Sequence, residues 1–100
     1  MSFTNEQKKH YRSIGHGLNP VVTISSNGLS KTVMAELDRA LTDHELIKIK
    51  LALDDKDARK KLTKRICDHT SSHVVQEIGK VALILRTAKK PNPKLSNLLR

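Results

Sequence analysis

The chain has 100 residues, 19 Lys and Arg against 10 Asp and Glu, a net charge of +9 and a sequence pI near 10.0. One domain fits that length, and the charge points to an anionic partner: nucleic acid, an anionic membrane or an acidic protein. No apolar run approaches the ~20 residues that span a bilayer, and no apolar segment follows a basic start, so a soluble, cytoplasmic protein without a membrane partner is expected. The single cysteine, Cys67, cannot form an internal disulfide. With Phe3 and Tyr11 as its two aromatics, the chain can hardly bind nucleic acid by stacking bases on rings.

Thr4 followed three residues later by Gln7 is a capping-box signature. It predicts a first helix from Asn5 to about Ile14, stopped by Gly15 and Gly17. Tyr11 and Ile14 share one side of that helix, and Lys8, Lys9 and Arg12 occupy a neighbouring basic arc. A β-branched run behind Pro20, Val21 to Ile24, then predicts a strand that ends at the polar stretch Ser25-Ser26-Asn27-Gly28-Leu29. Ser30 caps a second helix reaching His44, with Val33, Met34, Leu37, Ala40 and Leu41 on its core side. The small-residue loop can be approached closely, and the amides of the following helix point into it, which suits an anion. Lys31 stands in the first turn of that helix, where a cation opposes the helix dipole and serves something other than helix stability.

From Glu45 to Leu53 the pattern alternates as a strand does: Ile47, Ile49, Leu51 and Leu53 point one way, Lys48 and Lys50 the other. Asp54, Asp55 and Asp57 open a third helix whose buried side carries Ala58, Leu62 and Ile66, with Lys60, Lys61 and Lys64 opposite. The charge is uneven. Residues 1–50 hold seven basic and five acidic side chains, residues 51–100 twelve and five. Two further strands, His73 to Ile78 and Val81 to Arg86, flank Gly79-Lys80 as an antiparallel hairpin. Residues 1–88 are expected to be a single domain, and 89–100 a basic, largely irregular tail with a short turn at Leu95 to Leu99. The order helix-strand-helix-strand-helix-strand-strand implies an α/β (α+β) two-layer sandwich on a four-stranded mixed sheet, with the later helices on one face.

Catalytic and metal chemistry find little support. Cys67, His69 and His73 have metal-like spacing but no fourth ligand, and they straddle a helix end. Ser25 and Ser26 have no base placed to activate them, and no phosphate-binding glycine motif for a nucleotide cofactor is present. No cofactor and no enzyme activity are expected.

Several segments, in order and at matching spacing over residues 3 to 88, resemble the bacterial YhbY-like proteins. They are Gln7-Lys8, Leu18-Asn19-Pro20-Val21-Val22, Ser26-Asn27-Gly28-Leu29, Ala35-Glu36-Leu37, His44 through Lys50, Ile78-Gly79-Lys80 and Leu83-Ile84-Leu85-Arg86. YhbY-like proteins are stand-alone CRM domains, named for chloroplast RNA splicing and ribosome maturation. The resemblance implies an RNA-binding domain similar to the C-terminal domain of initiation factor three and associated with precursors of the large ribosomal subunit. The family's Gly-x-x-Gly loop, likened to that of KH domains, maps onto Ser25-Ser26-Asn27-Gly28, with Ser25 in place of the first glycine. A side chain there makes positive φ costly, although its hydroxyl can donate to a phosphate. The expected RNA-binding residues are Ser25, Ser26, Asn27, Gly28 and Leu29 in the loop, together with the cations Lys31, Lys8, Lys9, Arg12, Lys48, Lys50 and Arg86. Recognition would be of folded RNA by shape and backbone, by a monomer. The competing readings are a basic module for an acidic protein partner and a DNA-binding architectural protein.

Overall fold

The computed structural model describes residues 3–25 and 27–99. Helix α1 (Asn5–His16) starts with the capping box: Thr4 Oγ1 accepts the Gln7 amide at 3.0 Å, and Gln7 Oε1 accepts the Thr4 amide at 2.9 Å. It runs past the expected stop. Gly15 lies inside the helix and is buried, and Gly17 is the cap. A Cβ on Gly15 would stand 2.5 Å from a methyl of Leu83, so glycine lets the helix lie close against the sheet instead of ending it.

Strands β1 (Pro20–Ile24), β2 (Leu46–Leu51), β3 (His73–Ile78) and β4 (Val81–Leu85) form one mixed sheet in the order β1-β2-β4-β3. β1 and β2 are parallel, with Thr23 opposite Lys50, whereas β4 is antiparallel to both its neighbours. A parallel pair needs a crossover, which α2 (Lys31–His44) supplies. α3 (Lys56–Thr70) then carries the chain across to β3 at the far edge, and Gly79, at φ +55°, closes the hairpin into β4. Ser30 Oγ accepts the Val33 amide at 3.1 Å to start α2, and Asp55 Oδ1 accepts the Asp57 amide at 3.1 Å to start α3.

α2 and α3 cover one face of the sheet. Ile24, Leu37, Leu41, Ile47, Ile49, Leu51, Ile66 and Ile84 make its core, each 2 % exposed or less. Two threonines are buried on α3 because each hydroxyl donates to its own helix, Thr63 to the Arg59 carbonyl and Thr70 to that of Ile66. The opposite face is covered in part. There Leu46, Val75, Leu83 and Leu85 pack against Phe3, Tyr11, Ile14 and Leu18 from α1 and its flanks, and against Leu98 from the C-terminal segment.

That segment has no helix or strand, yet its end is bound to the α2–β2 junction. Glu45 is 2 % exposed at φ +62°, a costly backbone for a residue with a Cβ. Its carboxylate accepts the Ser96 hydroxyl at 2.6 Å and the Ala88 amide at 2.8 Å. On either side, His44 Nδ1 donates to the Leu95 carbonyl, and Asn97 gives its backbone amide to the His44 carbonyl and its side-chain amide to that of Leu46.

Candidate nucleic-acid interface

The Ser25–Leu29 loop sits where β1 ends. The Ala52 amide donates to the Ile24 carbonyl at 2.8 Å and the Leu51 amide to the Lys80 carbonyl at 2.7 Å. The loop, the link into α3 and the β3–β4 turn therefore share one end of the sheet. Ser26 lies outside the described residues. The Gly28 amide donates to the Ser25 carbonyl at 3.0 Å, closing a four-residue turn, and Asn27 donates its amide to Ser25 Oγ at 3.4 Å. Gly28 holds φ +82°, and an added Cβ would meet nothing within 4 Å, so its backbone, not lack of space, demands glycine. Ser25 is not among the described residues with positive φ, so a side chain at the first position of the loop costs no backbone strain. Ser25 and Asn27 are exposed, while Leu29 is half-buried and turned into the core beneath α2.

Two of the expected cations flank this loop. Lys31 is exposed in the first turn of α2, and Lys50 is exposed opposite Thr23, two residues before Ser25. Ser30 occupies the Val33 amide, and the amides of Lys31 and Thr32 precede the first one that the helix ladder can use. Lys48 is half-buried further along β2, in a cleft of about 240 Å³ with Gly15, His16, Gln76 and Val81, where α1 leaves the sheet uncovered.

The remaining cations separate from the loop. Lys9 and Arg12 are exposed on α1, and Lys8 lines a different groove on the β3 side of the sheet, together with Lys60, Lys61 and Lys64. The β1 and β3 edges are three strand spacings apart, about 15 Å. Arg86 is engaged elsewhere. Its guanidinium donates to Asp38 Oδ1 at 2.8 Å, the Asp38 carbonyl at 2.9 Å, Thr42 Oγ1 at 2.9 Å and the Thr70 carbonyl at 3.0 Å, tying β4 to the outer sides of both α2 and α3. Those contacts hold the fold together and draw its guanidinium to α2 and α3 rather than to the loop.

At the same end of the sheet Lys80 meets Asp54 at 2.9 Å, and the hydrogen bond and charge of Lys80 hold the Asp54 carboxyl below its ordinary range. Arg59 donates to the Leu53 and Asp54 carbonyls and so braces the start of α3. Burial raises Cys67 above the usual thiol range against a hydrogen bond from Ser72, which leaves a protonated, weakly nucleophilic thiol at neutral pH. Among the described residues no group of three His, Cys, Asp or Glu could hold a metal ion. No described helix is long and apolar enough to cross a membrane.

The α3 lysines Lys60, Lys61 and Lys64, expected from sequence only to lie opposite the buried side of their helix, line the groove on the β3 side of the sheet. Their signal was present in the excess of basic residues in the second half of the chain, but which groove they face depends on how α3 crosses the sheet.

Comparison with known proteins gives concordant results. The model of the CRS1 / YhbY (CRM) domain matches residues 3–86. A Pseudomonas aeruginosa protein named as a probable RNA-binding protein is 53% identical over 100 residues, covering 100% of this chain and 96% of its own. A Haemophilus influenzae protein named as an RNA-binding protein is 34% identical over 94 residues, covering 94% of this chain and 95% of its own. The solution structure of a hypothetical protein from Staphylococcus aureus superposes with a TM-score of 0.77 at 30% identity, covering 89% of this chain and 93% of that one.

Proposed function

Since the chain belongs to the CRS1 / YhbY (CRM) domain family, we propose that it is a non-catalytic RNA-binding protein that assists assembly of the large ribosomal subunit. The RNA-binding names of its Pseudomonas and Haemophilus relatives support the RNA part of this reading. The observation that carries it is the exposed turn closed by Gly28 at φ +82°, running directly into a capped helix between the exposed Lys31 and Lys50. In mechanism, the sugar-phosphate backbone lies along the turn. The free amides at the start of α2 and the Ser25 hydroxyl donate to phosphate oxygens, and Lys31, Lys50 and Lys48 supply the surrounding field. Backbone contacts of this kind select a shape rather than a sequence.

The test has two steps. In lysate, the tagged protein should sediment with large-subunit precursors and leave them on ribonuclease treatment; a protein that stays at the top of the gradient would refute the assembly role. In vitro, Lys31→Glu/Lys50→Glu should remove most RNA binding from a protein with unchanged thermal unfolding. Unchanged affinity would refute the loop surface.

A further inference from the structure

A groove away from the loop lies between α3 and the edge strand β3. It has a volume of about 790 Å³, within the range of pockets that hold a small organic ligand. Its floor is apolar, formed by Phe3, Cys67 and Val74, and Val74 is 43 % exposed there. Lys60, Lys61 and Lys64 stand along one wall and Lys8 comes in from α1. None of these four lysines pairs with an acid among the described residues. Asp57 and Glu77 also line the groove, so it offers cations, carboxylates and an apolar floor together.

We infer that this groove binds an unpaired nucleotide of the RNA, with its base on the Phe3–Val74 floor and its phosphates on Lys60, Lys61 and Lys64. The inference rests on the RNA-binding reading above and adds to it a second contact of different chemistry. A nucleotide uses every component of the groove: the base face is apolar, its edge N–H groups, the N3–H in the case of uracil, donate to carboxylates such as Asp57 or Glu77, and the phosphate answers the lysines. A duplex fits less well, since it presents phosphates on a convex surface and leaves the apolar floor uncovered. An acidic peptide fits less well too. It would meet Asp57 and Glu77, and β3 carries an irregularity between Val74 and Gln76 that interrupts the regular edge a fifth strand needs. Phe3 holds its place through edge contacts with Tyr11 and His73, at centroid separations of 5.6 and 6.1 Å. A scarcity of aromatics limits stacking to a single base; it does not prevent it.

The experiment uses the full chain, a single-stranded oligouridylate of about eight nucleotides, a blunt RNA duplex and a glutamate oligopeptide. Binding is followed by amide NMR shifts and by fluorescence anisotropy, and folding of each variant by thermal melting. The oligouridylate should shift the amides of Cys67 and Val74 and slow maleimide labelling of Cys67. Val74→Asp should weaken oligouridylate binding about tenfold while changing duplex binding less than about twofold. Lys60→Glu/Lys64→Glu, altering exposed positions only, should show the same bias and replaces Val74→Asp if that variant unfolds. Oligouridylate that binds without moving these amides overturns the inference, and so does the glutamate peptide moving them in its place. Failure of the groove alone appears as groove variants binding like wild type while Lys31→Glu/Lys50→Glu binds weakly. Failure of the loop reading appears as Lys31→Glu/Lys50→Glu binding both RNAs normally.

Discussion

Strand β2 carries both sides of the molecule on alternate residues. Ile47, Ile49 and Leu51 face α2 and α3 and are sealed, whereas on the other face Lys48 is half-buried in a cleft beside the end of α1 and Lys50 is open to solvent. Two helices close the first face over β1, β2 and β4, leaving a groove along the β3 edge. One helix and a docked C-terminal segment close only the end of the second, over Leu46, Leu83 and Leu85. The uncovered remainder holds Val21 and Ile78, 49 % and 64 % exposed, alongside the two lysines and next to the loop. The closed face therefore sets stability, and the half-open face supplies surface held in register by the same strand.

Substitutions can break that contrast, beginning on the closed side. Ile49→Ala deletes a fully buried side chain under both helices and should lower unfolding free energy by about 3 kcal/mol in urea denaturation. A loss under ~1 kcal/mol would mean that this face repacks readily. At the boundary of the two sides, Ser96→Ala removes the hydroxyl donated to buried Glu45 Oε1 and should cost about 2 kcal/mol. It should also raise amide exchange of Asn97 and Ala88; unchanged exchange would show that the segment docks without the carboxylate. On the open side, Gly15→Val forces methyls toward Leu83 and should cost about 1.5 kcal/mol, with exchange increasing first in α1. Uniform loosening of α2 and α3 as well would deny that the two faces are separable.

Two charge changes sharpen the contrast. Lys50→Ala should leave stability within about 0.5 kcal/mol and lower the salt slope of RNA binding by about 1, and the reverse pattern would make Lys50 a structural residue. Smallest of all is Lys80→Ala. Because Lys80 depresses the Asp54 carboxyl, their interaction is present above the ordinary carboxylate range and disappears as pH falls through the lowered value. The variant should move the Asp54 NMR titration midpoint upward with little change in melting temperature. A midpoint that stays put would remove Lys80 as its cause.

Much of the fold could be read along the chain because its signals act over a few residues. Thr4 with Gln7, Ser30, Asp55, and the Gly28 and Gly79 turns each work within about one turn of backbone, and each acts in the structure as that short-range chemistry dictates. Gly15 was misread as a helix stop since its reason is a methyl of Leu83, 68 positions away in the chain. Part of the loop surface was legible in the same way: Gly28 and Lys31 follow from turn and helix chemistry, and Lys50 from alternation. That Lys8 belongs to a separate groove was not, because α1 had no assigned place on the sheet.

Composition and periodicity by themselves determined the seven elements, their order, the capped helix starts, the polar turn ahead of α2 and the basic character of the surface, all of which depend on neighbours in sequence. Tertiary structure alone decided that α1 lies on the face opposite α2 and α3, that Arg86 spends its donors on Asp38, Thr42 and Thr70, that Ser96 reaches Glu45 from 51 residues away, and that three α3 lysines share a groove with Val74. The physical reason is the range of the interactions. A hydrogen bond or packing contact across the sheet leaves no periodic mark in the chain, and a lysine reads the same in sequence whether its charge is free, paired or turned toward a cleft.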